Sequence, residues 1–193
     1  LHGSSLGVYA ADTQAGFFAL WRQYGGWWSE KELPREPEVM DATIHPLPIV
    51  APEFVGDEQT YPFHLHPYPS VALSDGRGAN LPWLQETPDP MTTARWGTWV
   101  ELNPEVARSL GIGDDDIVRV ISPHGELEAP VVVYPGIHPE VVAIPVGQGH
   151  TDFGRFAQRR GSNPLDLVAP IAAADGGALA WGATRVRLEA TGR

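Results

Sequence analysis

From Thr98 to Ile144 the chain alternates apolar and polar positions in short runs, each closed by residues suited to turns. Thr98, Val100 and Leu102 alternate with Trp99 and Glu101, a period of two that predicts a strand with one face buried. Asn103 then offers an N-cap, and Pro104 suits the first helical position because its missing N–H would be unpaired there anyway. Val106, Ala107 and Leu110 supply the apolar face of a short helix, which Gly111 stops. Gly113 to Asp116 reads as a reversal, and Ile117, Val118, Val120 and Ile121 as a β-branched strand. After the turn Ser122-Pro123-His124-Gly125, the residues Leu127, Ala129, Val131 and Val133 share one face. Glu126, Glu128 and Tyr134 share the other, so Glu126 to Tyr134 is predicted to return as the second strand of a hairpin. Val141 to Ile144 lacks alternation, as a strand covered on both faces does, and leads into Gly147-Gln148-Gly149. Arg185 to Glu189 alternates again as a closing strand. Closely spaced strands with small helices predict a mainly β fold, a compact barrel.

Upstream, Phe17, Leu20, Trp21, Tyr24 and Trp28 recur at helical spacing behind Asp12 and Thr13, which predicts a helix over 12–28 weakened at Gly25-Gly26. Its aromatic stripe is read as packing against a neighbouring domain rather than as a ligand box. Prolines at 34, 37, 46, 48, 52 and 62 make residues 30–62 an extended connector. Phe63 to Leu73 opens the barrel as an edge or bulged strand, because Pro67 and Pro69 lack the N–H that a central ladder needs. Asp75 to Arg95 carries three prolines and little periodicity, and is expected to be a functional or packing loop.

Composition narrows the classes. The 193 residues, 42% of them hydrophobic, suit one domain with an extension. Thirteen basic against 24 acidic residues give a net charge of −11, the wrong sign for a phosphate backbone, so nucleic acid is excluded as a partner. With no cysteine, this span holds no disulfide, cysteine-bound iron–sulfur cluster or zinc thiolate, and the compartment is left open. No run approaches the ~20 apolar residues of a membrane helix, and the start at Leu1 reads as that of a fragment whose targeting signal lies upstream.

Several of these elements carry a resemblance. Asn103 to Ala107 with Leu110-Gly111-Ile112, Gly113 to Val118, Ser122 to Gly125, Pro139, and Val142 to Pro145 resemble the C-terminal domain of the molybdopterin oxidoreductase family. That domain clasps the dinucleotide tails of a bis-molybdopterin cofactor. The resemblance implies a six-stranded double-psi β-barrel over residues 63–193, preceded over 1–62 by the end of another domain and a connector. Phe17 and Trp21 have the spacing of a Phe-x-x-x-Trp helix that closes the preceding domain in this family.

A narrower resemblance rests on Asn80, Pro82 to Glu86, Tyr134 to Ile137, Ala143 to Pro145, Gly147 to His150, Gly154-Arg155, Gly161 and Asn163 to Leu165. These are similar to the molybdopterin-like iron–sulfur B subunit of alternative complex III. That resemblance implies a respiratory electron-transport complex on the periplasmic side of a membrane. Its partners would be the rest of the parent subunit and other subunits, with no direct membrane insertion. Quinol electrons would pass through iron–sulfur clusters elsewhere in the parent chain, and the pterin would be absent.

A dinucleotide cofactor needs small residues and free N–H groups near its phosphates, and polar side chains for its pterin and sugar. Ser122, Gly125, Gly147, Gly149, His150 and Asn163 have those properties, and His150 with Arg155 suits an anionic tail. The pterin contact of Asn163 and the guanine dinucleotide form of the cofactor are supplied by the resemblance. Read without it, the glycines only permit turns and His150 only hydrogen-bonds in its loop. Three readings therefore stay open: a vestigial scaffold in a quinol-oxidising complex, the dinucleotide-binding domain of an active molybdenum or tungsten reductase or dehydrogenase, and a barrel that binds proteins. An open polar cleft near Ser122, His150 and Asn163 would favour a clasp, and side chains from the Asp75–Arg95 loop filling it would favour a scaffold.

Other residues invite chemistry without completing it. His64 and His66 share a strand face but lack a third ligand, and Asp114-Asp115-Asp116 lacks the spacing of a calcium loop. Arg155, Arg159 and Arg160 form a basic cluster suited to a phosphate, a neighbouring subunit or plain solvent exposure. No catalytic residue and no metal ligand set is assigned to this span.

Overall fold

The computed structural model describes residues 7–28, 51–173 and 176–192. The chain divides into two units, Leu1–Ile49 and Val50–Arg193. In the first, helix α1 (Gln14–Tyr24) begins where the Thr13 hydroxyl accepts from the Gly16 N–H, and it ends at Gly25, whose φ of 77° is left-handed. These two caps make it shorter than the predicted span. Tyr9 lies on its inner side, tilted against Phe17 at 5.6 Å and stacked on Tyr24 at 5.4 Å. Phe18, Trp21 and Trp28 are exposed. The connector predicted over 30–62 lies, up to residue 50, outside the described residues.

In the second unit six strands close into a barrel: β1 (Phe63–Pro69), β2 (Val100–Leu102), β3 (Ile117–Ile121), β4 (Glu126–Val133), β5 (Val141–Val146) and β6 (Arg185–Ala190). Their order around it is β1-β5-β2-β4-β3-β6. β1 with β5 and β2 with β4 run parallel, so each pair needs a crossover, and the remaining contacts are antiparallel. This is the six-stranded, mainly β barrel the sequence predicts. The core is one inward stripe from every strand: Leu65, Leu102, Val118, Val131, Ile144 and Val186 are representative. Helix α3 (Pro104–Leu110) closes one part with Ala107, capped as predicted by Asn103 and by Gly111 at φ 67°.

Three local expectations change. β2 is not half-buried: Thr98 to Leu102 are all buried, Val100 and Leu102 toward the core. Glu101, on the other face, accepts hydrogen bonds from the Tyr68 hydroxyl and from Trp99 Nε1 (3.0 Å). Burial, and then the carboxylate beside it, keeps the Tyr68 hydroxyl protonated far above its ordinary range. β1 is not a free edge, since it pairs with β5 along its length and with β6 at Phe63 and His64. His64 N–H points to β5 and Leu65 N–H to the β6 side. By alternation the nitrogens of Pro67 and Pro69 also face the β6 side, where pairing has already ended, so no ladder bond is lost. Finally, the Asp75–Arg95 loop contains a short helix, α2 (Pro82–Glu86), whose only buried side chain is Gln85.

The β1–β6 seam carries a pH dependence. Arg185 Nη1 lies 3.0 Å from His64 Nε2, while Arg185 Nε donates to the Tyr61 carbonyl at 3.0 Å. Burial, then the Arg185 charge, lower the His64 pKa below 6.5, with Glu140 and Glu58 acting in the opposite direction. The folded chain therefore binds a proton on this ring less readily than the unfolded chain does. The stabilisation is fully present above about pH 6.5 and is lost as pH falls toward the depressed folded value. Denaturant midpoints of the protein are expected to fall across the weakly acidic range, and less steeply in His64→Gln. Parallel curves for the two proteins would contradict this.

Candidate functional site

At the end of β5 the chain leaves the barrel through Gly147, at φ 117°, and Gly149, at φ 87°, backbone conformations that side-chain-bearing residues rarely adopt. A Cβ on Gly149 would lie 2.4 Å from the Asn163 nitrogen and 2.7 Å from the Ser162 carbonyl carbon, so two stretches of backbone cross here in direct contact. The crossing is held by Gly149 N–H to the Arg160 carbonyl (2.7 Å) and Arg159 N–H to the His150 carbonyl (2.9 Å). Beyond it, Asn163 opens the 3-10 turn Pro164–Leu167, its Oδ1 accepting from Leu165 N–H at 3.2 Å.

Between these stretches Asp75, Gly147, Gly149, His150 and Asn163 line a cleft of about 130 Å³. A wider hollow of about 430 Å³ shares Gly149 and His150 and adds Asp152, Arg159 and Gly161. The His150 ring stacks on Phe153 at 4.8 Å, and its Nε2 is buried without a hydrogen-bond partner. Leaving such a nitrogen unpaired costs about 1–3 kcal/mol, which makes it a candidate contact for a ligand. Two left-handed glycines, an orphan imidazole nitrogen, a polar Asn and a guanidinium fit a phosphate-bearing dinucleotide. Asp75 does not oppose an anion by itself: Arg77, whose Nη2 is 2.6 Å away, holds its carboxyl at about 2 and balances its charge.

The structure thus brings together Gly147, Gly149, His150 and Asn163. Ser122 and Gly125 line neither the cleft nor the hollow. The Ser122 hydroxyl accepts from His124 N–H (3.0 Å) and Gly125 N–H (3.1 Å), and Gly125 abuts the backbone of Asp166, where a Cβ would lie 2.7 Å from the carbonyl oxygen. Arg155 is exposed, with its guanidinium 4.5 Å above the Phe156 ring, and does not line the cleft. Arg159 reaches the hollow instead, at a φ of 57° and tied to His150 through its backbone. The arginine cluster was the signal for it, but spacing alone does not choose among its members. Asp75 had no signal beyond its place in the long loop.

The other candidates take structural places. Asp114 Oδ1 accepts from Val133 N–H (2.7 Å) and Asp116 Oδ2 from Gly113 N–H (2.8 Å), so those carboxylates hold turns. His64 and His66 lie outside the cleft, and among the described residues no cluster of three or more metal-ligating side chains occurs. The Asp75–Arg95 loop adds Asp75 to the lining and otherwise braces the cleft: Gln85 pairs with Gln148, and Gly76 lies against His150.

Residues 83–176 match the family described as molydopterin dinucleotide binding domain. Over 143 residues the chain is 35% identical to the molybdopterin-containing subunit ArrA of arsenate respiratory reductase from Shewanella sp. (strain ANA-3), covering 69% of this chain and 17% of that protein. Over 95 residues it is 34% identical to the molybdopterin-binding-like subunit of menaquinone reductase from Nitratidesulfovibrio vulgaris, covering 47% of this chain and 14% of that protein. Acetylene hydratase from Pelobacter acetylenicus shares the fold, with a TM-score of 0.55 at 16% identity over 74% of this chain and 21% of that one. The chain spans less than a fifth of the length of these two curated relatives. None of the three is named as an alternative complex III subunit, so the narrower resemblance is not shown. The match over 83–176, joined to a closed six-stranded barrel and its glycine-lined cleft, makes this a molybdopterin dinucleotide-binding domain of the molybdopterin oxidoreductase family.

Proposed function

We propose that this domain holds the dinucleotide end of a molybdopterin cofactor inside a larger oxidoreductase subunit, of the kind represented by the arsenate reductase relative. The observation that carries the reading is the buried, unpartnered His150 Nε2 at the glycine-lined cleft. Gly147 and Gly149 let phosphate oxygens approach the backbone, His150 and Asn163 hydrogen-bond the ligand's polar edges, and Arg159 offsets its negative charge. The bound group supplies redox chemistry at its metal, while this chain binds, orients and excludes water. Because the chain has no cysteine, iron–sulfur clusters belong to other parts of the parent protein. The partners in this reading are the rest of the subunit and further subunits of a respiratory assembly on the periplasmic side of a membrane.

A second reading keeps the barrel and drops the cofactor. The menaquinone reductase relative, named molybdopterin-binding-like, favours it, and so does the loop that braces the cleft. The domain is then a scaffold in a quinol-linked complex of the alternative complex III type. Metal and pterin analysis of the intact parent subunit, purified from its native membrane, separates the two. The clasp reading expects stoichiometric pterin with molybdenum or tungsten; iron without either would overturn it in favour of the scaffold.

A further inference from the structure

The stretch from Ala79 to Thr98 is tied to both walls of the cleft through two polar pairs, one buried and one half-buried. Gln85 and Gln148, 1% and 6% exposed, exchange hydrogen bonds: Gln148 Nε2 donates to Gln85 Oε1 at 2.7 Å, and Gln85 Nε2 donates to Gln148 Oε1 at 3.2 Å. Gln85 Nε2 also donates to the Ala79 carbonyl at 2.7 Å, and since that oxygen only accepts, it fixes which way the amide faces. On the other wall, Thr98 Oγ1 donates to the Ser162 carbonyl at 2.7 Å and accepts from Ser162 N–H at 2.9 Å. Neither Gln85 nor Thr98 lines the cleft.

Their partners are the significant part. Gln148 stands between Gly147 and Gly149, and Ser162 between Gly161 and Asn163. Glycines have no side chains with which to wedge a turn in place, so the separation of the two walls is set by what they are tied to. The floor of the crossing is one tie and the bond from the Ser162 hydroxyl to the Glu128 carbonyl (3.1 Å) is another; these two pairs add to them, and both come from one segment. An amide exchanging two bonds and a hydroxyl that donates and accepts hold orientation as well as distance, which an apolar contact of the same volume does not.

We infer that Gln85 and Thr98 are positioning residues for the dinucleotide: through Gln148 and Ser162 they set the opening of the cleft. This rests on the clasp reading. The test uses the intact parent subunit carrying Gln85→Leu, Thr98→Val, the control Thr98→Ser, or the matched pair Gln85→Leu with Gln148→Leu. For each, pterin retained after purification, its rate of loss on dilution and the thermal midpoint are measured. Pterin is expected to dissociate at least roughly tenfold faster in Gln85→Leu and Thr98→Val, the scale on which supporting residues behind a site act. Thr98→Ser is expected to hold it like wild type. The matched leucine pair is expected to recover the thermal midpoint and not the retention.

Gln85→Met, which keeps the side chain's length without its donor or acceptor and adds no charge, serves as the second probe where Gln85→Leu does not accumulate, with a loss in the same direction. Wild-type retention in Gln85→Leu and Thr98→Val, or full recovery in the leucine pair, would overturn the positioning role and leave the clasp reading standing. A wild-type subunit without pterin would overturn both.

Discussion

Gly149→Ala is expected to open the crossing of the two cleft walls and to abolish pterin retention in the parent subunit. At φ 87° an alanine is strained whatever the space around it. Space is also lacking: the new Cβ would meet the Asn163 nitrogen at 2.4 Å and the Ser162 carbonyl carbon at 2.7 Å, and both are backbone atoms that cannot rotate aside. The walls must part, and the Gly149 N–H to Arg160 bond goes with them. Backbone strain and overpacking together are worth about 2–6 kcal/mol of stability. Gly182→Ala is the control, because a Cβ there meets nothing and its φ is not left-handed, so a change within about 0.5 kcal/mol is expected. Thermal midpoints and pterin content of both variants decide the matter. A Gly149→Ala protein as stable and as loaded as wild type would mean that the backbones do not cross as described.

Leu102→Ala is expected to cost about 2–5 kcal/mol of folding stability, the range for a buried leucine whose surroundings collapse only partly. The high end is expected because β2 is three residues long and joins the two parallel pairs of the barrel, running parallel to β4 and meeting β5 in a single register pair, Glu101 with Ala143. So short a strand has little ladder to hold it, and Leu102, 0% exposed, is one of its two core anchors. In denaturant titration the midpoint is expected to drop with an unchanged slope, since the surface exposed on unfolding barely alters. A loss below about 1 kcal/mol would show that the site repacks and that β2 is not the joint of the closed barrel.

Legibility in the sequence followed the locality of the cause. β3, β4 and β6 could be read because each buries a stripe whose period is written in consecutive residues, β5 because its unbroken apolar run marks a strand covered on both faces, and α3 because Asn103, Pro104 and Gly111 act within one turn of it. β1 was harder: two prolines speak against a central strand, and only the early end of β6 pairing makes them harmless. Glu101 alternates like a solvent-facing residue, yet Tyr68 and Trp99, neither assigned to it by pattern, cover it. α2 escaped notice because it is five residues long and buries one polar side chain, leaving no apolar period to detect.

For the cleft, residue type and resemblance together named Gly147, Gly149, His150 and Asn163, which do meet. The same reasoning named Ser122, Gly125 and Arg155, which do not line it, since a hydroxyl suited to a ligand is equally suited to a turn. By itself the sequence determined the strands, their inward faces, the helix caps and the family to which the glycine-rich turn belongs. These follow from local sterics and from burial of apolar stripes. Tertiary structure alone decided that Gly149 touches Asn163, that Arg159 and not Arg155 reaches the hollow, that His150 Nε2 is left without a partner, and that Gln85 and Thr98 are tied to the two walls. Each depends on contact between segments whose separation along the chain carries no periodic signal, and such contacts exist only once the barrel has closed.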